Sequence, residues 1–175
     1  PLLLKCLHEA PGIRVADLAC GTGIHALFLA EAGAEVTAFD LSPEMIEHAS
    51  RKRSHPHIEY RVGDMRSLSG GPWDCIFCLG NSLSLVGADD EAATVFESVY
   101  ASLLPGGVFV VQVLNYASAA NQESRLRVEK RESDGHRITA VKSLVPEEDH
   151  TLLSLAFYDE AGGQYHSVSE SAVLI

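Results

Sequence analysis

The stretch VADLACGTGIHALFLAEAG, Val15–Gly33, constrains this chain more than any other. A short apolar strand, Ile13–Leu18, carries Asp17 near its end, turns through Ala19, Gly21 and Gly23, and continues as a helix. Glycine belongs where a strand reverses tightly into a helix and where backbone must approach a ligand. The exposed amides of such a turn, with the positive end of the helix, face whatever lies above the strand. Leu27, Phe28 and Ala30 are expected near one face of that helix. A nucleotide-type ligand is the natural occupant.

Two kinds of ligand fit the loop. Gly21-Thr-Gly23-Ile-His-Ala26 satisfies the G-x-G-x-x-G/A dinucleotide pattern, and Asp40 follows at about the distance expected of a ribose acceptor. Asp17 points elsewhere, because a carboxylate beside the loop repels a pyrophosphate and suits a cation.

A chain of 175 residues can build one good core and a small appended subdomain. Apolar and charged contents of 46% and 21% are ordinary for a soluble globular protein. No apolar run approaches the roughly 18–20 residues of a membrane span, and no charged-then-apolar leader is present. A formal net charge of −11 argues against nucleic acid as partner and is mildly favourable to a cationic cofactor or amine. The start at Pro1 and the stop at Ile175, inside an apolar run, predict a chain trimmed at both ends.

Of Cys6, Cys20, Cys75 and Cys78, the last two form a C-x-x-C. They sit in an apolar run that reads as a strand, where a separation of three points them to opposite faces. No second cysteine or histidine pair completes a zinc site. Buried, reduced thiols and a cytoplasmic compartment are expected.

In chain order, Leu2–His8 reads as the end of a helix and Glu35–Asp40 as a second strand. Ser42-Pro43-Glu44 is a strong helix start, with Met45, Ile46 and Ala49 as the buried face of a helix reaching about Arg53. Strands follow at Ile58–Val62 and Trp73–Leu79, a helix over Asp89–Leu104 burying Ala92, Val95, Phe96, Val99 and Leu103, and an apolar fifth strand, Val108–Leu114. Strands alternating with helices imply a doubly wound, mostly parallel α/β sheet of Rossmann-like type. After Asn115 the pattern changes. Tyr116–Ser124 is a polar linker or short helix, and Leu126–Glu132, His136–Val145, Thr151–Tyr158 and Gln164–Ile175 read as an antiparallel meander. Residues 1–115 form the expected core and 116–175 a lid subdomain.

In open parallel sheets, ligands bind beyond the carboxyl ends of the strands, where strand order reverses. Asp17, Asp40, Asp64 and Asn81 each stand at such an end. Asp40 suits two ribose hydroxyls; Leu41 and Met45, behind it, offer apolar cover for an adenine. Asp64 suits an adenine amino group while Met65 packs against the ring. His25 reads as a solvent-facing helix residue, and His55-Pro-His57 as a loop.

With these residues in place, the chain resembles the class I S-adenosylmethionine-dependent methyltransferases across Ile13–Tyr116. Asp17–Gly23 (DLACGTG) is their first motif, with Ala19 where many members have glycine; Asp40, Asp64-Met65, Leu79–Ser82 (LGNS) and the LLPGG before the fifth strand match as well. The resemblance implies S-adenosylmethionine as cofactor, with Ala19, Gly21 and Gly23 near its methionine moiety and Leu79 lining the pocket through its backbone. LGNS and Asn115-Tyr116 resemble the glycine and sarcosine N-methyltransferase group, which implies Asn81 and Tyr116 at the substrate. That group's carboxylate-clamping arginine is here Leu114, and a histidine following LGNS is Leu85. Loss of such a clamp costs a few kcal/mol of recognition, so a small amine or other small molecule is expected in place of glycine. A sheet lacking the family's last two strands, a hairpin beside strand five, is expected, with an exposed edge.

In-line methyl transfer needs alignment and exclusion of water, not a nucleophile or metal. A nicotinamide-dependent oxidoreductase and a non-catalytic cofactor-binding module are the competing expectations.

Overall fold

Strand β1 (Arg14–Leu18) lies between β2 (Glu35–Asp40) and β4 (Trp73–Cys78), parallel to both. Outside them lie β3 (Ile58–Val62) and β5 (Leu103–Val111), giving a five-stranded parallel sheet of order β3-β2-β1-β4-β5. The computed structural model describes residues 12–86, 89–114, 125–133, 135–146, 151–161 and 164–174. The helix expected over Leu2–His8, Cys6, the linker Tyr116–Ser124 and Tyr116 itself lie outside the described residues. The chain divides into two compact units, Pro1–Val113 and Leu114–Ile175.

Side chains alternate across a strand, so this sheet buries two separate layers. Val15, Val36, Ala38, Cys75 and Phe77 pack on one face with Ala26, Leu29 and Ala30 of helix α1 (Ile24–Glu31). Ala16, Leu18, Phe39, Trp73, Ile76 and Cys78 pack on the other with Val95 and Val99 of helix α3 (Asp89–Ser102). Cys75 and Cys78 are buried and reduced in opposite layers, and Cys20 is buried with Cys75. A wall of small alanines brings α1 close to the sheet.

The buried face of α1 corrects the sequence expectation. Ala30 is buried as expected, but Ala26 and Leu29 replace Leu27 and Phe28 beside it, and Phe28 is exposed. A helix apolar nearly all round carries little periodic signal, so bulk misleads and the small face wins. Helix α2 (Pro43–Lys52) begins as its sequence dictates: Ser42 Oγ accepts from the Met45 amide at 3.2 Å and donates to Glu44 at 2.8 Å. Ala49 is fully buried and Ile46 packs on the core, whereas Met45 stands exposed. Gly33 closes α1 at φ +98, its amide on the Ala30 carbonyl at 2.9 Å.

A second correction concerns the entry to β5. Leu103 fits the helical period of α3 yet pairs with Trp73 as the first residue of β5, and a register shift between Trp73 and Cys75 accommodates the Pro105-Gly106-Gly107 turn. The strand therefore spans Leu103–Val111, with 112–114 beyond it, where the sequence pointed to Val108–Leu114. Val110 of β5 packs on one layer and Leu103 and Phe109 on the other, but the strand is an edge of the sheet among the described residues and Val108 is 46% exposed.

The second unit is a four-stranded antiparallel meander of β6 (Arg125–Ser133), β7 (His136–Pro146), β8 (Thr151–Ala161) and β9 (Gln164–Leu174), in that order. Glu132, Arg137 and Glu160 stand side by side on three strands, and the guanidinium bridges both carboxylates at 2.9 Å. His136 pairs with Asp159 at 2.9 Å. These exposed cross-strand pairs fix register more than they add stability.

Trp73 is fully buried, edge-on to Phe39 with ring centroids 5.8 Å apart. Trp73→Ala is expected to lower the urea unfolding free energy by about 3–5 kcal/mol; a loss below about 1 kcal/mol would show that this layer is not the core.

Candidate functional site

The chain leaves β1 toward β2 and β3 on one side, while β4 and β5 extend the sheet on the other. A crevice therefore opens beyond the carboxyl ends of β1 and β4, the position where such sheets bind ligands. Backbone conformation marks the same place. Ala19 (φ 53) and Asn81 (φ 71) are the non-glycine residues with positive φ among those described. One follows β1 and the other follows β4. Each left-handed residue costs about 1–2 kcal/mol, and such strain persists where surrounding structure enforces it.

The enforcement is visible around the glycine loop. The Cys20 amide donates to the Phe39 carbonyl at 2.9 Å, and the Gly23 amide to the Cys20 carbonyl at 2.9 Å. Asp40 Oδ2 accepts from the Gly21 amide at 2.8 Å while Oδ1 accepts from the Ser42 amide at 3.0 Å. Arg53 donates to the Thr22 carbonyl, and its own carbonyl accepts from Tyr60 Oη at 3.1 Å. A Cβ on Gly23 would lie 2.6 Å from Tyr60 Oη, so this position has no room for a side chain; above Gly21 the space is open.

Beneath the loop, Asp17 is 1% exposed. One of its oxygens takes the Ala26 amide, at the start of α1. Its Oδ2 is buried without a hydrogen-bond partner. Burial pushes this carboxyl up to about 7, the Ala26 amide pulls it back, and the Asp40 charge adds to the rise. The Cys20 thiol rises to about 12 through burial, then through Asp17 and Asp40. The Cys78 thiol rises to about 11 through burial and then Asp17. Burial likewise lifts Tyr60 to about 12. A buried carboxylate lacking a partner is costly, and one facing a second carboxylate calls for positive charge.

Leu41, 68% exposed, and Met45, 43% exposed, stand beside Asp40 as an uncovered apolar shelf. At the end of β3, Asp64 caps a short 3₁₀ turn through the Arg66 amide at 2.9 Å, and both its oxygens take the Arg66 guanidinium. That hydrogen bonding holds the Asp64 carboxyl below its ordinary range. Met65 packs down onto the Trp73 layer. On the far side of the crevice, the Leu79 carbonyl accepts from Ser82 Oγ at 3.1 Å and Asn81 Oδ1 accepts from buried Ser84 at 3.0 Å. Gln112 fastens this turn from the residue just past β5: its Oε1 takes the Gly80 amide at 3.0 Å and its carbonyl the Asn81 amide at 3.2 Å.

Asp17, Ala19, Gly21, Gly23 and Asp40 thus form one connected loop structure, with Leu41 and Met45 adjoining it. Asp64, Leu79 and Asn81 end the other strands, while Tyr116 lies outside the described residues. Arg53, Tyr60, Arg66, Ser84 and Gln112 were not singled out from sequence. Only Gln112 carried a signal, as a lone amide within an apolar run.

Among the described residues no group of three His, Cys, Asp or Glu could hold a metal. His57 pairs with Glu35 at 2.6 Å, at the opposite ends of the strands. No helix of the described residues is long and apolar enough to cross a membrane.

The methyltransferase domain family matches residues 15–107. The glycine/sarcosine N-methyltransferase of Halorhodospira halochloris is 37% identical over 116 residues, which cover 63% of this chain and 43% of that protein. The ubiquinone biosynthesis O-methyltransferase of Xanthomonas campestris pv. campestris is 30% identical over 115 residues, covering 63% and 46%. The sugar N-methyltransferase of a Streptoalloteichus species has the same fold at a TM-score of 0.85 and 20% identity, covering 99% of this chain and 68% of that one. The chain spans less than half the length of the curated relatives named here.

A carboxyl lifted from 3.8 to about 7 on folding binds more protons folded than unfolded between those values. Its contribution therefore destabilises the fold as pH rises from about 4 to about 7, and fully above that. Asp17→Asn is expected to gain stability relative to the unmodified chain over that interval, on the order of a few kcal/mol in urea unfolding. A pH-independent difference would refute the assignment.

Proposed function

The chain belongs to the methyltransferase domain family, and from that premise we propose that it transfers a methyl group from S-adenosylmethionine to a small-molecule acceptor. The observation that carries the cofactor is the orphaned Asp17 Oδ2. It suits an ammonium beside the glycine loop and opposes the pyrophosphate of a nicotinamide dinucleotide.

The residues present fit that cofactor. Asp17 supplies negative charge for the ammonium, and Ala19, Gly21 and Gly23 keep the loop slim enough for the amino-acid moiety to approach. Asp40 uses one lone pair on each oxygen for the Gly21 and Ser42 amides, which leaves one on each for two ribose hydroxyls. Leu41 and Met45 give the adenine an apolar shelf, and covering them removes exposed apolar area from water. Asp64, although held by Arg66, retains acceptor capacity toward an adenine amine. Met65 and Leu79 complete the pocket wall.

When bound, S-adenosylmethionine supplies an electrophilic methyl group on a sulfonium. The protein holds the acceptor in line and keeps water out, which is worth up to about 7–11 kcal/mol as proximity alone. Asn81 stands on the acceptor side of the crevice, its amide oriented by Ser84. An amine brings its own lone pair, whereas a hydroxyl acceptor needs a base. N-methylation of a small amine other than glycine is the preferred reading, supported by the glycine/sarcosine relative. The O-methyltransferase relative makes a hydroxyl acceptor the competing one. The antiparallel unit, residues 116–175 in the sequence reading, is assigned to the acceptor, since every cofactor residue named above belongs to the parallel unit. A nucleic-acid acceptor is disfavoured by the net charge of −11, and the reduced thiols favour the cytoplasm.

Calorimetric titration with S-adenosylhomocysteine is expected to give micromolar Kd, about −8 kcal/mol, with no binding of NADH. Asp40→Ala is expected to weaken it at least ~100-fold, since two charge-assisted hydrogen bonds are worth about 1.5–3 kcal/mol each. Binding of NADH in place of S-adenosylhomocysteine would overturn the cofactor assignment. Methyl transfer to amines but not phenols, in a panel of both, would decide the acceptor class.

A further inference from the structure

Among the described residues, the groups around Asp17 give it no positive charge. Its register neighbours Ala38 on β2 and Phe77 on β4 are both fully buried. The titratable groups around it are Asp40 at the end of β2, Cys20 in the glycine loop, Cys78 at the end of β4 and Tyr60 on β3. Helix α1 adds His25, which is exposed, and the Arg53 guanidinium is spent on the Thr22 carbonyl. One Asp17 oxygen has the Ala26 amide and the other has nothing.

A carboxyl so placed holds its proton in preference to standing ionised and unpaired. Resting on the cofactor reading above, we propose that the cofactor's ammonium and the Asp17 proton exclude each other: the free site holds Asp17 protonated, and binding drives that proton to solvent. The O–H bond of the carboxyl breaks, the proton passes to buffer, and the carboxylate left behind is neutralised by the ammonium, directly or through one ordered water. The ammonium keeps its own protons, and no covalent bond forms to the ligand. Burial places the exchange near neutrality, since the carboxyl rises to about 7.

Affinity for the cofactor then depends on pH through its amino-acid moiety alone. The test is calorimetry of the unmodified chain with S-adenosylhomocysteine, and with 5′-methylthioadenosine, which lacks that moiety, in paired buffers of high and low ionisation heat. For S-adenosylhomocysteine, release of about one proton is expected near pH ~6, falling toward zero near pH ~8.5, with Kd weakening up to ~10-fold per pH unit below ~7. Methylthioadenosine should release no proton and bind equally across that range. Asp17→Asn should abolish the release, and His25→Gln should leave it intact. Tight binding of S-adenosylhomocysteine with no proton released at any pH would overturn the exchange while sparing the cofactor assignment. So would loss of the release in His25→Gln. Failure of both ligands to bind at every pH would instead overturn the cofactor assignment, and the exchange with it.

Discussion

The candidate site hangs on the Asp40 carboxylate. One oxygen holds the Gly21 amide of the glycine loop and the other holds the Ser42 amide at the start of α2. A single side chain at the end of β2 thereby ties the turn after β1 to the helix after β2. Charge-assisted hydrogen bonds of this kind are short and strong, and here they replace contacts that the loop's own small residues cannot make. The loop has little apolar surface with which to pack. Its shape is fixed by polar attachment to a neighbouring strand, and the same carboxylate keeps lone pairs to offer a ligand.

Backbone strain at non-glycine residues and the orphaned buried acid of the described structure gather at one end of the parallel sheet. Left-handed backbone at Ala19 and Asn81 and an uncovered shelf at Leu41 and Met45 lie beyond strand ends, and the unpaired carboxylate oxygen at Asp17 lies near the end of β1 beneath them. The two packed layers below carry no comparable defect. Strain of order 1–3 kcal/mol at each such position persists only where the rest over-determines the fold. The alternation of Val15, Asp17 on one face with Ala16, Leu18 on the other is what permits this. Four consecutive residues supply both cores and place one acid beneath the loop.

The parallel unit was legible because its signals are local. A hydroxyl cap with Pro43, a glycine at the end of α1 and short apolar strands ending in acids each act within a few residues. Local signals fail in two places, at a residue that satisfies two patterns and in a helix with no polar face. Leu103 fits the period of α3 and also begins β5, and only pairing with Trp73, thirty residues earlier, decides between them. In α1 the apolar residues leave no polar face to read, so small side chains chose the buried side through close approach to the sheet. At the site, the strand-end acids could be found, but what holds them could not. Arg53 under Thr22 is a tertiary attachment, while Arg66 on Asp64 and Ser84 on Asn81 are local contacts made by ordinary side chains that no motif marks.

The placement of Cys75 and Cys78 three residues apart on one strand, each reduced and buried in a different layer, gives the sheet a pair of internal gauges. Neither thiol reaches reagent unless the helices covering its own face lift away, so alkylation of each follows the local opening of one layer. With the strand shared between them, a difference in their labelling rates compares the loosening of α1 and α2 with that of α3 within a single native chain. A ligand that clamps the glycine loop acts first on the α1 side, and the two sulfurs record whether that tightening stays on one face or crosses the sheet.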